Sequence, residues 1–230
     1  MNWLKSFLTS SLGQKVVMSL TGIFLLLFLV VHLVGNLQLL AHDDGKSFNL
    51  YTYFMTHNPL IKIISYTLYA FILIHSIQGI AIWLKNKKAA GGMNRYAVHN
   101  TETSNFAARN MAWFGILIFI FLFIHLKDFW YIMKFTDQLA MVTYDSQDHA
   151  VKNLYTMVAV EFKEMWVIII YTLGMIALAF HLWHGFSSSF QTLGINHPKY
   201  TPAIKALGIV YAILVPVGFA IIPIIFYLFR

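Results

Sequence analysis

Five stretches of this chain are long and apolar enough to cross a lipid bilayer, and they constrain its fold more than any other feature. They cover residues 16–40, 61–84, 111–134, 165–190 and 205–229. Each exceeds the ~20 residues that span ~30 Å of hydrocarbon at 1.5 Å per helical residue. Charged side chains make up 11% of the 230 residues, against about 25% in soluble domains. The expected fold is therefore an all-α membrane protein with five transmembrane helices and one domain, residues 1–230. The first stretch is too long for a signal-peptide core and lacks a small-residue cleavage site after it, so it reads as a retained helix. With no cysteine, disulfides, thiolate-held metals, iron–sulfur clusters and thioether-attached haem are excluded.

Charge distribution predicts the topology. Residues 1–15, 85–110 and 191–205 carry Lys5, Lys15, Lys85, Lys87, Lys88, Arg95, Arg109, Lys199 and Lys205 against one acid, Glu102. The opposite side, 41–60, 127–164 and Arg230, collects every Asp together with Glu161 and Glu164. The positive-inside rule then puts the N-terminus in the cytoplasm and the C-terminus outside. The net charge of +7 is mostly this bias, and no basic face with stacking aromatics points to nucleic acid. The longest connections, 85–110 (with Gly91-Gly92 as a flexible turn) and 135–162, each have room for a short interfacial helix.

A polar ring inside a membrane is costly to place and usually functional. Five of the ten His lie in spans: His32, His75, His125, His181 and His184. Apart from these imidazoles the span interiors carry no ionisable group, Lys127 and Asp128 being counted with the outer segment. Measured from the cytoplasmic end of each span, His32 lies ~24 Å deep and His125 ~21 Å, while His75 and His181 both lie ~14 Å deep. Four helices thus supply two pairs at two depths, each pair from helices of the same direction. Two stacked b-type haems in a helical bundle need this arrangement, each iron taking two axial imidazoles. His184, one turn from His181, competes with it as a ligand.

An internal repeat accompanies the pattern. Gly22-Ile23 precedes His32-Leu33 by the same interval that separates Gly115-Ile116 from His125-Leu126. Spans two and four both contain Tyr-Thr-Leu, and both place Gly four residues after a His, as His75/Gly79 and His181/Gly185. A glycine one turn from a ligand removes a side chain where a flat macrocycle must approach the helix. Ser19, Arg109 and the run Ser187–Ser189, with Ser188 at its centre, are candidate donors to the propionates of the inner haem; Arg109 fits equally as a positive-inside residue. Trp3, Trp83, Trp113, Trp130 and Trp166 near span ends read as an aromatic belt. Pro216 and Pro223 are expected to kink the last span.

Taken together, Ser19-Leu20-Thr21-Gly22 leading to His32, His75, His125-Leu126, and Phe180-His181 followed by Gly185 and Gly194 resemble the di-haem, five-helix cytochrome b subunit of succinate:quinone oxidoreductases (the succinate dehydrogenase/fumarate reductase cytochrome b family). The resemblance covers nearly the whole chain. It implies a bacterial inner-membrane protein with two haem b groups, His75 and His181 on the proximal iron and His32 and His125 on the distal one. It also implies a cytoplasmic flavoprotein and an iron–sulfur subunit as partners, docked on basic segments that include Lys85–Arg95 and Lys199–Lys205. A membrane quinone, menaquinone in this type, would exchange electrons with the distal haem. The chain departs from some fumarate reductases of this type, which have Glu two residues before the fourth ligand; here that residue is Ala179. His42, Asp43 and His57, near the outer end, are the quinone-site candidates.

Two other readings compete. A di-haem cytochrome b of a different quinone-linked dehydrogenase would often place two ligands about fourteen residues apart on one helix, and no span here does. A haem-free transporter with a histidine proton relay would usually show broken helices and polar groups near the midplane, which these spans largely lack.

Overall fold

The computed structural model describes residues 3–89, 106–145 and 148–230. The turn at Gly91-Gly92, together with Arg95, His99 and Glu102, lies outside the described residues. The chain is mostly helical. A short α1 (Trp3–Thr9) meets α2 (Ser11–Leu37) at Ser10, whose hydroxyl caps α2 by accepting from the Gly13 amide at 3.0 Å. A 3-10 turn (Gln38–Leu40) leads to α3 (Lys46–His57) and then to α4 (Pro59–Ala89). After α5 (Phe106–Arg109) come α6 (Met111–His125), a π-helical turn (Leu126–Tyr131) and α7 (Ile132–Phe135), which together make one rod. A two-stranded antiparallel ribbon, β1 (Met141–Val142) and β2 (Val151–Lys152), precedes α8 (Leu154–Glu161). The chain ends in α9 (Met165–Thr192) and α10 (Thr201–Phe229).

Five of these helical segments are long and apolar enough to cross a membrane, in the order expected. They overrun the apolar stretches at several ends, because backbone hydrogen bonding continues into the polar residues flanking the hydrocarbon-compatible segment. The α9–α10 turn has a clear stop signal. Gly194 adopts φ +84°, and the Ile195 and Gly194 amides return to the Phe190 and Gln191 carbonyls, while Pro202 opens the next helix where its missing N–H costs nothing. Through Pro216 and Pro223 α10 continues as one helix, with both prolines buried in it.

Helix α9 is the spine of the fold. It packs against α10, α6 and α2; α2 also packs against α4, and α4 against α6. The helices α2, α4, α6 and α9 therefore form a ring in which α2 faces α6, and α4 faces α9, across the diagonals. One buried cluster joins α2, α9 and α10 through Leu26, Met175, Leu178, Leu182 and Ala212. A second closes the end of the bundle where α3 and α8 lie, around Leu39, Val158, Phe162, Val167 and Phe226. By contrast α4 buries only Leu68 and α6 buries no residue. Side chains such as Ile63, Ile77 and Phe123 are each about two-thirds exposed (65%, 66% and 64%). That much continuous apolar surface belongs in lipid, not in water. The molecule is a multi-pass membrane protein.

The connection between the third and fourth spans folds together with α3 into a small cap, built on Asn49 of α3. This side chain is fully buried (0% exposed) and donates to Tyr144 Oη (2.9 Å) and Asn153 Oδ1 (3.1 Å) while accepting from the Tyr155 amide (3.0 Å). Arg230 adds a second tie by donating to the Leu39 and Leu40 carbonyls, both at 2.8 Å. Asn49→Leu removes three bonds at once and leaves the half-buried Tyr155 amide without its acceptor. It should lower stability by about 3 kcal/mol, read as a drop in the detergent-phase melting temperature.

One expectation needs correcting. The span interiors are not free of ionisable groups other than His: Lys127 and Asp128 lie inside the third helix, within the expected bounds 111–134. Asp128 is buried (4% exposed) and pairs with Lys127 at 3.1 Å. The π turn that begins just after His125 rotates Asp128 inward.

Candidate functional site

The ring of helices brings the four span histidines together as two pairs, one on each diagonal. His32 of α2 faces His125 of α6, with ring centroids 5.8 Å apart and planes at 82°. His75 of α4 faces His181 of α9, with centroids 6.2 Å apart and planes at 69°. His184 has no ring partner of this kind among the described residues. Two imidazoles on opposite sides of one metal, each on a bond of about 2 Å, place their ring centres roughly 6 Å apart. Both pairs meet that spacing.

The His75–His181 pair, named inner after the expected topology with His32–His125 as the outer pair, lies beside two glycines. A Cβ on Gly22 of α2 would sit 3.5 Å from His75 Cε1, and one on Gly115 of α6 would sit 3.6 Å from His181 Cε1. The helices that supply the outer pair thus thin their surfaces against the inner pair. Gly79 and Gly185, the glycines one turn from the inner histidines, face the methyl ends of Met18 and Met111, at 3.5 and 3.4 Å from an added Cβ. The two halves of the bundle repeat each other in these four glycine contacts. Gly22 to His32 is ten residues, about 15 Å of helix axis, so the pairs form two separate levels.

Hydrogen bonds orient the rings. Thr21 of α2 gives its hydroxyl proton to the Val17 carbonyl at 2.8 Å, and its oxygen lies 3.1 Å from His75 Nδ1. In the tautomer protonated on Nδ1, His75 donates to that oxygen, which leaves Nε2 with its lone pair free. His125 Nδ1 lies 3.3 Å from the Tyr171 hydroxyl, and His32 Nδ1 lies 3.3 Å from Asn36 Nδ2. Among the described residues His181 Nδ1 is buried with no hydrogen-bond partner within 3.5 Å. An aromatic sleeve surrounds the outer pair: Phe28 stacks on His32 at 5.1 Å, Phe121 on His125 at 5.8 Å, and Phe219 and Phe129 close the sides.

Of the other candidates, Ser19 is buried on α2 one turn before Gly22, and Arg109 is exposed at the end of α5. In the serine run it is Ser189, the neighbour of Ser188, whose hydroxyl lies 3.4 Å from the Gly22 Cβ position. His42, Asp43 and His57 do not converge. His42 is exposed. Asp43 accepts from the amide and hydroxyl of Ser47, and the Ser47 hydroxyl bond in particular holds its carboxyl below the usual carboxylate range. This carboxylate starts α3. His57 stacks on Tyr53 at 3.9 Å in a separate cleft.

Thr21, Asn36, Tyr171 and Asp128 were not legible as site residues. Tyr171 is buried at 7% exposure. Asp128 Oδ2 is buried with no partner. Burial first, and then the Asp128 charge, raise the Glu161 carboxyl above its ordinary range. A Ser or Thr one residue before a span glycine, and an acid one turn after a span histidine, are the signals that could have found two of them. Comparison with family models, with curated proteins and with solved structures gave no match.

Proposed function

We propose that this chain is the membrane anchor and electron-transfer subunit of a succinate:quinone oxidoreductase, carrying electrons between an iron–sulfur subunit and a membrane quinone through two bis-histidine b haems. One observation carries the reading: two opposed imidazole pairs, on the two diagonals of one four-helix ring and at two levels. When bound, each haem supplies reversible one-electron chemistry within the bilayer. His32 and His125 would hold the distal iron, His75 and His181 the proximal one.

The remaining work falls to this chain's own side chains. Thr21 fixes the tautomer of His75 so that the ring offers Nε2. Gly22 and Gly115 keep the space beside the inner imidazoles clear of side chains. Phe28, Phe121, Phe129 and Phe219 exclude water from the outer pair. The exposed cations Lys85, Lys87, Lys88, Lys199 and Lys205 lie at the end of the bundle nearer the inner pair. By the charge bias this end is cytoplasmic, where the iron–sulfur and flavoprotein subunits would dock. Menaquinone is assigned to the opposite end, where Asp128 and Glu161 could exchange protons near the outer pair.

The test is a pyridine haemochromogen assay on the purified chain in detergent, with the spectrum recorded oxidised and reduced. The expected result is two b haems per chain and copurification with flavin and iron–sulfur subunits from the native membrane. A colourless preparation would overturn the reading in favour of a histidine relay. A red one lacking those subunits would favour another quinone-linked cytochrome b.

A further inference from the structure

The cap holds a second site, unrelated to the histidine pairs. A cleft of about 280 Å³ opens between α3, the first turn of α4, the end of α7 and the start of α8. Lys62, Lys134, Lys152 and His57 line it, and no carboxylate does. Three lysines from three separate elements would repel one another unless something offsets their charge. Among the described residues the ion pair within 4 Å is Lys127–Asp128, so none of the three has a carboxylate partner. Lys152 is held in place by donating to the Met133 carbonyl at 2.8 Å. His57 is held by Nδ1 against the Tyr53 carbonyl at 2.9 Å and by stacking on Tyr53. Lys152 and the His57 ring are thus fixed before any ligand arrives, with Lys62 and Lys134 exposed beside them.

Its level in the membrane selects the ligand. Lys62 lies in the first turn of the helix Pro59–Ala89, and Lys134 one residue before the end of the span Met111–Phe135. Both helices exceed the ~20 residues needed for the hydrocarbon core, so their ends reach the headgroup layer. Leu60, Ile63 and Phe135 beside the cleft are each about two-thirds exposed (65%, 65% and 64%), an apolar flank suited to acyl chains. We infer that this cleft is a binding site for the phosphate of an anionic phospholipid, on the face opposite the basic cytoplasmic end.

The experiment is native mass spectrometry of the full chain in a neutral detergent, titrated with phosphatidylglycerol, phosphatidylcholine or inorganic phosphate. Wild type should bind phosphatidylglycerol at least about tenfold more tightly than phosphatidylcholine, since each lysine near a headgroup contributes severalfold. The double variant K62Q/K134Q should lose that preference, and K62R/K134R should keep it. K127Q, which changes an exposed lysine outside the cleft, should bind like wild type. Equal binding of the two lipids, or an unchanged preference in K62Q/K134Q, would overturn the inference. Displacement of the lipid by inorganic phosphate at matching concentration would overturn the lipid assignment, because the cleft would then be a soluble-anion site. Circular dichroism of each variant confirms folding, so a loss of preference reports on the cleft.

Discussion

His32→Ala, His125→Ala and the double variant are expected to share one phenotype: half the haem of wild type, with the remaining spectrum unaltered. His75→Ala, His181→Ala and their double variant should share a second, complementary phenotype. Each prediction comes from the diagonal geometry. The rings of a pair face each other at 5.8 or 6.2 Å, so, with haem held as proposed, losing either would remove one of the two imidazoles that hold that iron. The second loss then adds nothing, as expected for groups that act as a unit. The two levels are separated by about 15 Å of helix, so damage to one leaves the other intact. His184→Ala should retain both haems, since His184 lacks an opposed ring. The measurement is haem per chain by pyridine haemochromogen, with low-temperature α-band spectra to tell the two apart. Four single variants that all lose both haems, or a His184→Ala variant that loses one, would contradict the pairing.

How far the sequence reached can be judged from particular residues. The span count and the choice of four histidines depend on periodic, local properties, which a sequence displays directly. The partners within each pair came from depth counting, because a helix converts residue number into distance along its axis. The repeated Gly–His interval was a sound guide: Gly22 and Gly115 occupy equivalent places against the inner histidines. The repeated Tyr-Thr-Leu was not. Tyr66 is 71% exposed and Leu68 buried, whereas Tyr171 is buried and Leu173 60% exposed. The tripeptides stand one residue out of step with their histidines, and one residue turns a helix by about 100°. Identical letters therefore point to opposite faces.

What stayed hidden was tertiary. The cap around Asn49 joins residues about a hundred positions apart, and neither its polar side chain nor its neighbours announce a fully buried site. Lys127 and Asp128 fall within the expected span 111–134 yet were counted with the outer segment, because charged residues ordinarily end a span. The helix continued instead, since a π turn tucked the carboxylate inside the protein. Asp43 looked like a free acid beside the outer end, but its carboxylate accepts from the Ser47 amide in the first turn of α3. In each case a local pattern had two physical outlets, and long-range packing chose between them.

The second large effect should come from the glycines, and it crosses the levels. Gly22 lies on the helix that supplies His32, yet it borders His75; Gly115 lies on the helix that supplies His125, yet it borders His181. At 3.5 and 3.6 Å a single added carbon is in ordinary contact. Gly22→Ala and Gly115→Ala should therefore keep both haems, and alanine's better helix propensity offsets part of any strain. Leucine at either position extends beyond that contact and must push the imidazole aside. For Gly22→Leu the displaced ring also loses its 3.1 Å bond to Thr21, and such overpacking costs about 1–3 kcal/mol in a filled interior. The expected result is loss of the inner haem with the outer one retained, matching the spectrum of His75→Ala, although the altered residue belongs to an outer-ligand helix. If glycine mattered only for helix–helix packing, Gly22→Leu would weaken the whole bundle and both haems would fall together. Selective loss of the outer haem would mean that each glycine serves the ligand on its own helix, contrary to the contacts found.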